Sequence, residues 1–105
     1  MRDFTYVDDA VEATIRAAVS SISETTINVG GGSAVPIREA LAEIEAIVGR
    51  PLSLEYLPPA PGDMKVTRAD TTRLESLLAF RPATTLREGI RQQYEWLLRS
   101  EVEPW

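Results

Sequence analysis

Three places in the sequence hold side chains suited to binding or catalysis. They are Arg2 with the nearby acidic pair Asp8-Asp9, the run Gly30-Gly31-Gly32, and a Pro-rich loop closing on Gly62-Asp63. An arginine at the head of a strand can grip a phosphate through two parallel N–H groups, although a solvated Arg fits the same position. Asp8 and Asp9 could form a carboxylate dyad, but just before an apolar helical pattern they read better as helix-start residues, with Glu12 three past Asp9. A glycine run between a strand and a helix is the setting of a phosphate-cradling loop. The spacing fits neither common fingerprint: Val35 stands where G-x-G-x-x-G needs a small residue, and no Gly-Lys-Ser/Thr follows. A tight strand-to-helix turn is the preferred reading. Asp63 follows a rigid Pro61-Gly62 turn, so its carboxylate is either presented to hydroxyl donors of a sugar or bonded to its own turn. Tyr94 and Trp96 read as packing residues.

Composition narrows the chemistry further. The chain has 105 residues, 11 Lys and Arg against 16 Asp and Glu, a net charge of −5, no His and no Cys. Catalytic triads, thiol nucleophiles, disulfides and His- or Cys-based zinc sites are therefore excluded. A net acidic surface is a poor partner for nucleic acid or anionic lipid, so neither is expected. No apolar run approaches the ~18 residues of a membrane span. No signal-peptide pattern follows Met1, which makes the cytoplasm the expected compartment.

The elements that would position these residues alternate. Phe4–Val7 reads as a short strand and residues 9–19 as a helix with an apolar stripe of Val7, Val11, Ile15 and Ala18. Thr26–Val29 reads as a second strand. Pro36 fits the first turn of a second helix, whose stripe is Ile37, Leu41, Ile44 and Val48 and whose stop is Gly49 followed by Pro51. Leu52–Leu57 alternates weakly as a third strand, and residues 58–63 form a loop. Thr72 with Glu75 and Thr85 with Glu88 are capping boxes opening a short helix and a last one to about Arg99, with the apolar face Leu86, Ile90, Tyr94 and Leu97. Residues 100–105 read as a frayed tail.

Several stretches occur together in a recognisable order: Arg2-Asp3-Phe4-Thr5-Tyr6-Val7-Asp8-Asp9, Ile27-Asn28-Val29-Gly30-Gly31-Gly32, Pro61-Gly62-Asp63, Ala69-Asp70-Thr71, and Leu86-Arg87-Glu88-Gly89-Ile90 with Trp96. From Arg2 to about Leu98 the chain resembles the C-terminal portion of nucleotide-sugar epimerases and dehydratases of the extended short-chain dehydrogenase/reductase family, and UDP-glucose and UDP-glucuronate 4-epimerases most.

The resemblance implies an α/β fold: a small substrate-binding α/β domain over residues 1–99, with the last strand and helix elements of a Rossmann-type sheet. It implies sugar-nucleotide binding by Arg2 on the diphosphate, Asp63 on the ribose hydroxyls and Ile37 on the nucleoside. Many members carry a second diphosphate-binding Arg three residues before that Asp, where this chain has Ala60. NAD is implied for the parent enzyme but not for this chain, because the family's G-x-x-G-x-x-G loop and Tyr-x-x-x-Lys pair are absent from the sequence. The chain is thus expected to be a fragment, inactive alone, binding UDP-sugar weakly or not at all in isolation. The alternative is a non-catalytic module that self-associates, as a homo-oligomer, through an uncovered apolar face. A small acidic protein-interaction domain is a weaker third reading.

Overall fold

The computed structural model describes residues 1–31 and 34–100; Gly32, Ser33 and most of the expected tail lie outside it. Its elements are β1 (Arg2–Asp3), α1 (Val7–Val19), β2 (Ala34–Val35), α2 (Ile37–Val48), α3 (Thr72–Leu78) and α4 (Leu86–Arg99). β1 and β2 pair antiparallel, Arg2 opposite Val35 and Asp3 opposite Ala34. The opening segment also bonds to residues 65–69. The Met1 amino group donates to the Lys65 carbonyl at 2.7 Å, and the Thr67 N–H donates to the Met1 carbonyl at 3.2 Å. These two bonds bracket Val66 as in a parallel ladder. Residues 1–3 therefore join two stretches of chain far from them in sequence.

Helices dominate, and the α/β expectation holds only in this coarse form: a mixed structure with one two-stranded sheet among the described residues. The expected strand at Phe4–Val7 does not form. Tyr6 is the N-cap of α1, and the helix begins at Val7 with Asp8 and Asp9 in its first turn, where carboxylates complement the helix dipole. Asp9 makes no cap; its carboxylate accepts the Thr84 N–H at 3.3 Å, tying α1 to the approach to α4. Residues 26–29 and 52–57 belong to no ladder. A strand requires a neighbour for its alternating N–H and C=O groups, and the described residues supply none for these segments.

The helix ends follow local chemistry more closely. Gly49 closes α2 in the left-handed region at φ 77°, its N–H on the Glu45 carbonyl. Pro36 sits one place earlier than expected, at the N-cap. Thr85 caps α4 by accepting the Glu88 N–H at 3.2 Å, while the Glu88 carboxylate turns to Arg91 and Gln92 instead of completing the box. At α3 the expected Thr72 cap is replaced: Thr71 is the N-cap residue, and Asp70 accepts both the N–H and the hydroxyl of Thr72.

α1 packs on α3 and α2 on α4. The core joins Ala13, Leu74 and Leu78, with Ile22, Ile27 and Phe80 against them. Leu74 is wholly buried, worth ~1.5–3 kcal/mol by area removed from water. Arg16 lies 4.8 Å from the Phe80 ring centroid and donates to the Leu78 and Ala79 carbonyls, capping the end of α3, where Ala79 is left-handed at φ 49°. The expected apolar stripe of α1 points the other way: Val7, Val11 and Ile15 are 62%, 49% and 52% exposed, Ala18 is exposed as well, and Val19 beside it is 81% exposed. The helix therefore buries its Ala13 face and shows its larger side chains to water. The Cα radius of gyration is 16.4 Å, against about 13 Å for a compact domain of this length, so the fold is open as well as thinly cored.

Candidate functional site

Asp63 owes its position to a tight turn. Residues 60–63 close with the Asp63 N–H on the Ala60 carbonyl at 3.2 Å, Pro61 at the first central position and Gly62 at φ 83° at the second. This is the type II pattern, in which Pro presets one dihedral and only Gly takes the next without strain. The turn presents the Asp63 carboxylate to Arg2, 61 residues away in sequence, at 2.6 Å. The other arm of the guanidinium donates to the carbonyls of Met64 at 2.5 Å and Met1 at 2.9 Å. Both side chains stay in contact with solvent, Arg2 at 30% and Asp63 at 62% exposure. An ion pair so exposed is worth about 0–1 kcal/mol, so its effect is to orient the two groups more than to stabilise the fold.

Ile37 opens α2 two residues after Val35, the β2 residue opposite Arg2, and is 48% exposed. The sheet register places Arg2 opposite the strand that leads into this accessible apolar residue. Two of the three residues named from the sequence are in direct contact, and the third is placed through β2.

Sequence reasoning missed the part played by Asp3. One of its carboxylate oxygens accepts the Ala69 N–H at 2.9 Å, and the side chain lies against Gly30 and Gly31. A Cβ on Gly30 would fall 2.5 Å from the Ala69 Cβ, and one on Gly31 would fall 2.9 Å from the Phe4 carbonyl oxygen. Gly30 and Gly31 are there for close approach, a contact that forms only on folding. This also bears on a dinucleotide cofactor. Gly30 and Gly31 face the Asp3 carboxylate, whose negative charge opposes a dinucleotide's diphosphate there.

The perturbed titrating groups have structural causes. The hydroxyl and N–H of Thr72 hold Asp70 below the usual carboxylate range, and Arg91 with Gln92 does the same for Glu88. Loss of solvent, then Asp8, Glu88 and Asp9, push the Tyr6 hydroxyl up. The Tyr6 ring packs on Gly89, where an added Cβ would lie 3.2 Å from its Cδ2. An open groove of about 830 Å³ lies between the start of α1 and α4, lined by Tyr6, Asp8, Arg91, Gln92 and Trp96 among others, and includes none of Arg2, Ile37 and Asp63. Among the described residues no acidic cluster could hold a metal ion, and no helix is long and apolar enough to cross a membrane.

No protein-family model matches the chain. It is 37% identical over 95 residues to a UDP-glucose 4-epimerase of Mycolicibacterium smegmatis, covering 90% of this chain and 30% of that protein. It is 34% identical over 96 residues to a UDP-glucuronate 4-epimerase of Thermodesulfobacterium geofontis, covering 90% of this chain and 29% of the relative. The fold superposes with a TM-score of 0.83 on UDP-glucuronic acid 4-epimerase from Bacillus cereus, solved with UDP-glucuronic acid and NAD, at 30% identity over 92% of this chain and 32% of that one. The relatives and the solved structure that the chain resembles are thus UDP-sugar 4-epimerases. The chain spans about a third of the length of the relatives it matches.

The close packing at the glycine turn is directly testable. Gly30→Ala forces Ala69 away from Asp3 and should lower stability by ~1–3 kcal/mol, read from the urea midpoint. Gly62→Ala, with open space around it but a positive φ, should cost only the backbone strain of about 1 kcal/mol.

Proposed function

We propose that this chain is the C-terminal, sugar-nucleotide-binding part of an NAD-dependent UDP-sugar 4-epimerase of the extended short-chain dehydrogenase/reductase family. The observation that carries the proposal is the Arg2–Asp63 contact at 2.6 Å on a fold that superposes on a UDP-glucuronic acid 4-epimerase. Arg2 supplies the positive charge and planar donors for a diphosphate. Asp63 supplies the acceptor for ribose hydroxyls, and Ile37 an apolar surface for the nucleoside. Ala60 adds no charge, so the grip on the diphosphate rests on Arg2.

The chain binds and orients, and does not catalyse alone. The dinucleotide loop and the Tyr/Lys pair are missing from its sequence. When bound by the rest of such an enzyme, NAD supplies the hydride chemistry. The segments 26–29 and 52–57, which join no ladder, and the exposed face of α1 are the surfaces such a partner domain would complete.

A chimera tests this. Replacing the matching third of the Bacillus cereus enzyme by this chain should give a protein that epimerises UDP-glucuronic acid. Arg2→Ala in the chimera should raise KM about tenfold or more with a smaller change in kcat, as expected for loss of a charge-assisted contact. A folded, NAD-binding chimera that binds no UDP-sugar would refute the proposal.

The outward apolar stripe of α1 favours a second reading, a module that associates with its own copies. On that reading sedimentation shows a dimer at micromolar concentration that Ile15→Glu converts to monomer. A monomer before the substitution removes it.

A further inference from the structure

Arg2 and Asp63 are each other's counterion in this structure, and this bears on which ligands the site accepts. One arm of the Arg2 guanidinium is fixed on the carbonyls of Met64 and Met1, and the other holds the Asp63 carboxylate at 2.6 Å. An anion that binds the remaining N–H groups of Arg2 comes to rest beside the Asp63 carboxylate. The Asp63 backbone is locked in the 60–63 turn, so its carboxylate can leave only by rotating about its own side-chain bonds. It therefore stays near the incoming anion, where like charges repel. Ala60, on the same turn, brings no charge to offset that repulsion.

We propose that Asp63 acts as a selectivity gate, admitting diphosphates that carry a ribose and opposing those that do not. A nucleoside diphosphate brings its charge beside Asp63 and offers that carboxylate two ribose hydroxyl donors. Inorganic diphosphate brings a higher charge beside the same carboxylate and no ribose hydroxyls to offset the repulsion. The inference rests on the assignment of Arg2 and Asp63 to a sugar nucleotide, and it adds that the acid is a negative as well as a positive determinant.

The test compares UDP with inorganic diphosphate, at fixed ionic strength, on the 105-residue chain and on Asp63→Asn, followed by backbone amide NMR. The native chain should prefer UDP about tenfold or more, and Asp63→Asn should bind inorganic diphosphate more tightly while losing affinity for UDP, cutting the preference about tenfold. Asp63→Ser serves as a second neutral variant should the first not fold. An unchanged preference in a folded variant, with UDP still shifting Arg2 and Ile37, overturns the gate and leaves the nucleotide assignment standing. If UDP shifts none of Arg2, Ile37 and Asp63 in the native chain, the assignment falls and the gate with it.

Discussion

Three residues at the start of the chain hold its distant parts in register. Through β1 they bind β2, which leads into α2. Through the Met1 backbone and the Asp3 carboxylate they bind residues 65–69. The Arg2 side chain reaches Asp63 and the Met64 carbonyl from the same short segment. The charged pair and the strand that leads into Ile37 meet on this shared segment. The close packing of Gly30 and Gly31 on Asp3 is a condition of that arrangement, since neither position has room for a Cβ.

The rest of the molecule is built around a small core. Ala13, Leu74 and Leu78 unite α1 and α3, and the Arg16 guanidinium both finishes α3 and lies over the Phe80 ring. Large apolar side chains remain in water, including a full stripe of α1, and the radius of gyration exceeds that of a compact domain of equal length. Both features suit a structure that presents surfaces to another body. They fit the finding that the relatives are about three times as long as the stretch they share with this chain.

Local chemistry was legible in the sequence. Gly49 before Pro51 stops α2, Thr85 caps α4, and Pro61-Gly62 forms the turn that sets Asp63. Each is decided by a few neighbouring residues. The strands expected at 26–29 and 52–57 were not decided locally, because a strand is a property of a pair, and no described residue pairs with them. The periodicity of α1 likewise marked its apolar face without saying whether anything covers it. For the site, the ordered motifs named Arg2, Ile37 and Asp63, and the fold brought the first and last into contact. It could not be read from the sequence that Asp3 fills the glycine turn, because that contact joins residues 3, 30, 31 and 69 only after folding.

The central claim is that Arg2, Ile37 and Asp63 form one nucleotide half-site. The most direct measurement is the set of intermolecular nuclear Overhauser contacts between UDP and the chain labelled at its isoleucine methyl groups. The account predicts contacts from the uracil and ribose protons to the Ile37 methyls, with Arg2 and Asp63 the most shifted residues. UDP bound instead against Trp96, in the groove between α1 and α4, would contradict it.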